Sequence, residues 1–312
     1  MKKVLVIYFT QSGQQKRILQ SLVQPLVNAG HQIHFEEIKP VEKYPFPWSS
    51  FQFFNAFPET FQQKSLALEP LSDKAFENYD LIILGYQPWF LTPSRPISSF
   101  LQSVQGQKIL AGKNVVTILG CRNMWIGAQE KVKQWLRNAQ ANLVGHIALI
   151  DKSGNLTSLV TILRWMLYGK KDSFLFFPAA GVAETDIEHA VVFGEQIKTC
   201  LEADQFGRLQ HDFNSHGAIE IKPNLVLMEK RGQKSFSVWA KFVAAGGDVQ
   251  STGRKIRVYI FMYLLPTVVI ILTPLLWIMS AIMLTVKRKQ LLRDIEYFRQ
   301  TALREKKKGG VV

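Results

Sequence analysis

Val4-Leu5-Val6-Ile7-Tyr8-Phe9 is an unbroken apolar run of strand-forming residues, the pattern of a parallel strand buried on both faces. It stops abruptly at Thr10-Gln11-Ser12-Gly13-Gln14-Gln15. A helix is predicted from there to Asn28, with Ile18, Leu19, Leu22, Val23, Leu26 and Val27 on one stripe. Strand, small-hydroxyl loop and helix together make an anion cradle. Hydroxyls and backbone N–H groups meet at a helix N-terminus, whose partial positive charge favours a phosphate.

The same grammar repeats. Strands are predicted at Gln32–Ile38, Asp80–Gly85, Val115–Leu119 and Leu143–Ile150, and helices at about Arg95–Ser103, Ala128–Gln140 and Glu184–Ala203, the last capped near Thr185. Five parallel strands alternating with helices predict a doubly wound α/β domain over residues 1–205. Ligands of such sheets bind beyond the carboxyl ends of the strands, at the switch point. No metal-ligand spacing occurs. Cys121 and Cys200 are the only cysteines, which excludes a disulfide framework.

The first loop is not a Walker loop, since no Gly-Lys-Ser/Thr follows, and one glycine does not make a dinucleotide fingerprint. It resembles the first loop of flavodoxins, hydroxyl-x-hydroxyl-Gly-x-hydroxyl. Thr10, Ser12 and Gly13 match, and Gln15 departs from the last hydroxyl. The resemblance implies a flavodoxin-like fold with FMN as cofactor. Its phosphate would lie on Thr10, Gln11, Ser12, Gly13, Gln14 and Gln15. Its ring would lie against Gln87, Pro88, Trp89, Phe90, Leu91 and Thr92. Gly120, Cys121, Arg122, Asn123 and Trp125 would form a third wall. Arg122 is expected either to face the ring as a cation or to pair with Glu130. Tyr86, Arg122 and Asn123 are the candidates for proton transfer, on location alone.

Two insertions interrupt the domain. Residues 39–63 carry four prolines and eight aromatic residues, predicting a long loop or broken helix. It reads either as a flap packed on the domain or as a lid over an apolar ligand. Residues 152–183 contain an apolar helix, Leu156–Tyr168, which reads as core or as interfacial. Residues 206–257 are expected to connect, with a strand at Asn224–Met228 and a short helix at Phe236–Ala244. Residues 258–286 carry no charge over twenty-nine positions, more than the roughly 20 needed to cross a bilayer. Both flanks are basic, so a Pro266/Pro274-kinked span and a re-entrant hairpin both remain open. Residues 287–312 predict a basic amphipathic helix lying on an anionic leaflet or packing on a partner.

The net charge of +14 is concentrated in this tail. From Ser251 onward twelve Lys/Arg face three acids, +9, leaving +5 for the rest. That distribution favours a membrane surface over nucleic acid. No signal peptide is expected, so the main domain should lie on the cytoplasmic side of a bacterial inner membrane.

Gly120-Cys-Arg-Asn-Met-Trp125, Trp165 with Gly169-Lys170-Lys171, Pro178-Ala-Ala-Gly-Val182, Lys222-Pro-Asn-Leu225 and Glu229-Lys-Arg-Gly232 together resemble one family. These are flavodoxin-like, membrane-tailed bacterial proteins labelled dialkylresorcinol condensing enzymes. The resemblance implies an aromatase-type oxidation of a dialkyl-cyclohexanedione in aryl-lipid biosynthesis. Its implied partners are a lipophilic ring substrate, membrane lipids, a ketosynthase and a second copy of the chain. No Cys-His-Asn or Cys-His-His set for condensation can be assembled around either cysteine. A quinone reductase, an electron-transfer flavodoxin and a membrane-tethered scaffold without cofactor are the other readings.

Overall fold

The computed structural model describes residues 1–265, 267 and 286–303. The greater part of the uncharged run 258–286 therefore lies outside the described residues, as does the tail beyond 303. Among the described residues no helix is long and apolar enough to cross a membrane.

A five-stranded sheet organises the chain. Its strands are β1 (Lys3–Tyr8), β2 (Gln32–Glu37), β3 (Leu81–Tyr86), β6 (Asn114–Cys121) and β7 (Asn142–Ile150). They run parallel in the order β2-β1-β3-β6-β7. This is the flavodoxin-like doubly wound order, and it puts the switch point between β1 and β3. A short hairpin, β4 (Pro88–Trp89) with β5 (Thr92–Pro93), follows β3.

Helices cover both faces. α1 (Gln14–Asn28) packs against α8 (Glu184–Ala203), while α4 (Arg95–Gln102) packs against α6 (Ile126–Asn138). The central strands are wholly buried, as their unbroken apolar runs require. α5 (Val104–Leu110) leads into β6. α8 is not capped by Thr185: its N-cap is Ala183, and the acids Glu184 and Asp186 fill the first turn.

The aromatic insertion is a broken helix, α2 (Ser50–Asn55) and α3 (Phe57–Phe61), started by a Ser49/Gln52 capping box and interrupted at Pro58. Its aromatic residues divide between two places. Tyr44, Phe46 and Trp48 lie beside the sheet, while Phe51, Phe54, Phe57 and Phe61 enter a second core.

That second core is completed by α10 (Pro223–Ala244) and by α11, which begins at residue 252 and is described to 265. Phe57 stacks on Phe261 at 4.4 Å and meets Phe236 at 5.2 Å. At its edge Arg254 grips α3. Its guanidinium binds both oxygens of the Glu59 carboxylate (2.8 and 2.7 Å), Asn55 Oδ1 (2.9 Å) and Asn55 O (2.8 Å).

Three expectations for the C-terminal third change. Asn224–Met228 is not a strand, and Phe236–Ala244 is not a separate helix. Both belong to the single helix α10, which Pro223 opens and in which Leu225, Val226, Glu229, Ala240 and Val243 make one buried stripe. Second, α9 (Leu209–Ser215) buries Leu209 and Phe213 against Gly145 of β7. Third, the basic tail forms α12 (Arg288–Phe298) and packs on its own chain. Leu291 and Phe298 join the main core, Lys230 pairs with Asp294 (2.7 Å), and Tyr297 donates to Glu130 (2.6 Å).

Leaving one buried charge without its partner costs about 3–5 kcal/mol. Arg254→Met is therefore expected to lower the thermal midpoint of the detergent-purified protein sharply. Arg254→Met combined with Glu59→Leu should recover much of the loss, as read by circular dichroism melts.

Candidate functional site

The loops after β1, β3 and β6 converge on one cleft. Thr10, Gln11, Ser12, Gln14 and Gln15 line it from the first loop, Gln87, Pro88 and Trp89 from the second, and Gly120, Cys121 and Arg122 from the third. Eleven of the expected site residues are thus brought together. The cleft measures ≈ 160 Å³.

Amide side chains brace the loops. Gln15 is buried, and it bridges to β6: Nε2 donates to Ile118 O (3.1 Å) and Oε1 accepts from Gly120 N (3.0 Å). Gln15 is therefore a strut between the first loop and the third wall, not a replacement for a phosphate-binding hydroxyl. Gln14 holds the backbone of Val182 through both N and O (3.3 Å each). Gln87 donates to Phe9 O (3.0 Å) and accepts from Gln11 N (3.1 Å). Gln11 in turn donates to Pro45 O (2.7 Å) and ties down the aromatic insertion.

Gly13 precedes α1 with φ +83°, the left-handed region that a Cβ would strain. It opens the helix with its first-turn N–H groups unclaimed by the helix itself. In the same loop the Thr10 hydroxyl oxygen is buried without a hydrogen-bond partner among the described residues.

The second and third walls are apolar and cationic. Trp89 is wedged among Phe9 (5.7 Å), Tyr44 (5.1 Å) and Trp48 (5.6 Å), each approaching edge-on. Arg122 is held by Asn155, its Nη1 on the carbonyl oxygen (3.2 Å) and its Nη2 on Oδ1 (2.9 Å). It does not pair with Glu130, which binds Lys133 and Tyr297 instead. Burial weakens the hold of Arg122 on its proton, and nearby Asp151 opposes that effect. Burial raises the Cys121 thiol well above its ordinary value, so it stays protonated.

Several expected residues stand outside the cleft. Tyr86 is fully buried under the sheet and donates to Gln129 (2.5 Å). Phe90 turns away to pack on Phe53 (4.8 Å) and Phe57 (5.2 Å). Leu91 faces Gly232 of α10. Thr92 is buried on Thr60 O (3.2 Å), and Asn123 donates to Asn155 Oδ1 (2.9 Å). Trp125 is buried against His146 (5.1 Å) at the start of α6.

The lid reading of 39–63 anticipated one side of the roof, and the side built from residues 152–183 was missed. Phe46, Trp48, Ile162, Trp165, Met166 and Gly181 also line the cleft. Trp165 and Met166 belong to α7 (Asn155–Tyr168), and Met166 O accepts from Trp48 N (2.8 Å), which joins strap to helix. The signal was present as one tryptophan in each insertion, Trp48 and Trp165, but nothing in the sequence joined them.

Behind the third wall, Glu229 of α10 caps α6. Its carboxylate accepts from Gly127 N (2.6 Å) and Ile126 N (3.2 Å). A Cβ on Gly127 would meet the Gln233 amide, so a larger residue there would have to displace that side chain. Among the described residues no group of three or more His, Cys, Asp and Glu is placed to hold a metal ion.

No family model and no curated protein matches the chain. Solved structures do. A flavoprotein from Lactobacillus acidophilus NCFM, crystallised in complex with FMN, is 19% identical, with a TM-score of 0.38 over 47% of this chain and 93% of that one. A flavodoxin from the domain Archaea is 10% identical, with a TM-score of 0.36 over 64% and 99%. An NAD(P)H:quinone oxidoreductase from Methanothermobacter marburgensis is 10% identical, with a TM-score of 0.25 over 56% and 98%. The fold assignment stands on this chain's own strand order.

Burial raises the Glu229 carboxyl from 4.5 to about 7, with the α6 N–H groups opposing. The folded protein then holds a proton that the unfolded chain has released, so stability falls as pH rises through that window. The full effect is of order 3 kcal/mol. Melts of wild type between pH 5 and 8 should show this loss, and Glu229→Gln should flatten it.

Proposed function

We propose that this chain is a membrane-associated flavin-dependent oxidoreductase that holds FMN in the cleft beyond β1, β3 and β6. The observation that carries this reading is the Thr10 hydroxyl, buried and without a partner among the described residues, in the loop that leads into α1. An unsatisfied buried donor costs on the order of 1–3 kcal/mol, and a phosphate oxygen would satisfy it. Ser12 and the first-turn N–H groups of α1 complete the cradle. Pro88 and Trp89 offer the apolar wall that a flat ring needs. Arg122, locked by Asn155, places a fixed cation on the opposite side. A bound flavin would supply two-electron chemistry at that wall.

The cleft volume of ≈ 160 Å³ is below the roughly 300–1,000 Å³ of ligand sites. The strap at 44–48 fills the difference, so entry of a cofactor requires Phe46 and Trp48 to swing out. The same small volume favours the second reading, a scaffold without cofactor.

The substrate class we propose is a lipophilic ring, with oxidation of a dialkyl-cyclohexanedione to a dialkylresorcinol as the reaction and a ketosynthase as its supplier. This rests on the motif resemblance. The uncharged run 258–286 would anchor the domain at the inner membrane. What supports a re-entrant arrangement over a span is that the flanking helices α11 and α12 both dock on α10.

The deciding experiment is an absorbance spectrum of the detergent-purified protein with mass analysis of released cofactor. Bands at about 375 and 450 nm, as bound flavin gives, with FMN released, are expected. A colourless protein that takes up no added FMN would establish the scaffold instead. Trp48→Ala should take up FMN faster than wild type in stopped-flow fluorescence. Arg122→Gln should lower the flavin midpoint potential, because the lost cation no longer favours the reduced, anionic form.

A further inference from the structure

α7 carries apolar side chains on both sides. Trp165 is buried with Ser158 and Thr161, while Leu156, Val160 and Tyr168 are exposed. A helix that only covered a core would present a polar outer face. After Gly169 the chain turns into a tight loop in which Phe174 and Phe177 pair across a bridge and stack at 4.9 Å. At its tip Leu175 is 90% exposed and Phe176 83%. Nothing in the described fold covers either side chain.

The surroundings specify what does. Between 164 and 178 the chain carries Arg164, Lys170 and Lys171; Arg164 pairs with Asp172 (3.1 Å) and Lys171 with Glu184 of α8 (2.7 Å), and both cations stay beside the exposed tip. Arg164 lies over the Phe174 ring (4.4 Å) and Lys171 over Trp165 (5.5 Å). Cations beside exposed aromatic and aliphatic side chains are the composition of a segment that settles into an anionic lipid surface. The patch is also continuous with the start of the uncharged run. Gly169 touches Pro47, Trp48 is bonded to Met166, and Phe51 of the same insertion meets Tyr259 of α11 (5.4 Å).

We infer that the outer face of α7 and the Leu175–Phe176 tip insert into the headgroup region of an anionic bilayer. The surface is thus a second lipid contact, on a different segment of the chain from the run 258–286 and adjoining its start. Trp165 and Met166 roof the cleft from the opposite side of the same helix. A lipid-partitioned substrate would therefore reach the cleft beneath α7 without crossing bulk water. The inference rests on neither the flavin nor the substrate reading, and a colourless protein would insert equally.

The test uses the full chain with Cys121→Ser and Cys200→Ser, reconstituted into phosphatidylcholine–phosphatidylglycerol vesicles. Phe176→Cys carries an environment-sensitive nitrobenzoxadiazole label, and Leu156→Cys carries it in a second preparation. Lys198→Cys on α8 is the control. Melts matching the unlabelled parent establish that each variant is folded. Emission from 176 and 156 should shift to the blue and be quenched by lipids spin-labelled in the acyl chain, while 198 reports water. Water-like emission at 176 would overturn the inference. So would a blue shift that lipid spin labels do not quench, since that would mean a second copy of the chain covers the patch.

Discussion

The cleft depends on one buried amide. Gln15 sits where α1 leaves the first loop, and both ends of its side chain are spent on the backbone of β6. A glutamine can donate and accept at once, so it satisfies two buried backbone groups that a hydroxyl could not reach together. It thereby fixes the distance between the loop after β1 and the wall after β6. Gln14, Gln87 and Gln11 extend the bracing to the 182 turn, the second loop and the strap. The walls are held by directional bonds as well as by packing, while the roof is made of aromatic rings packed edge to face.

The roof belongs to the rest of the molecule. The strap that carries Phe46 and Trp48 continues into α2 and α3, which are bound into the second aromatic core and clamped by Arg254. Arg254 lies four residues before the uncharged run. The guanidinium is almost completely removed from water, so its bonds to Glu59 and Asn55 have little solvent competition. Any displacement of α11 is passed to α3 before it reaches bulk solvent, and α3 is joined to the strap by chain continuity.

The sheet was legible in the sequence because a strand buried on both faces has no polar position to disguise it. Four of the five strands fall where the apolar runs lie, the edge strand β2 (Gln-Ile-His-Phe-Glu-Glu) alternates instead, and the three loops meet as the doubly wound order demands. The cleft walls were legible for the same reason, since they are the residues directly after those strands. The roof was not, because contacts such as Trp48 with Met166 join segments more than a hundred residues apart. Asn224–Met228 misled because Leu-Val-Leu-Met has no period of its own. Only the later positions Glu229, Ala240 and Val243 show the helical stripe, and Glu229 is an acid that the pattern would have placed outside. Phe90 and Leu91 were misplaced because both adopt positive φ in the hairpin tip, which swings them off the ring wall.

The docking of α12 sets an order on synthesis. Leu291 and Phe298 belong to the main core, and Lys133 of α6 is bonded to Gln300 O (2.8 Å) and Ala302 O (3.3 Å). A helix on the far side of the uncharged run is therefore part of the interior of the domain that β1 to β7 build. The domain cannot close its α6 face until the uncharged run has been made and placed. A chain cut short before that run would be more than a detached form of the same domain. It would carry an open apolar seam along α6 and α10, and self-association would be its natural fate.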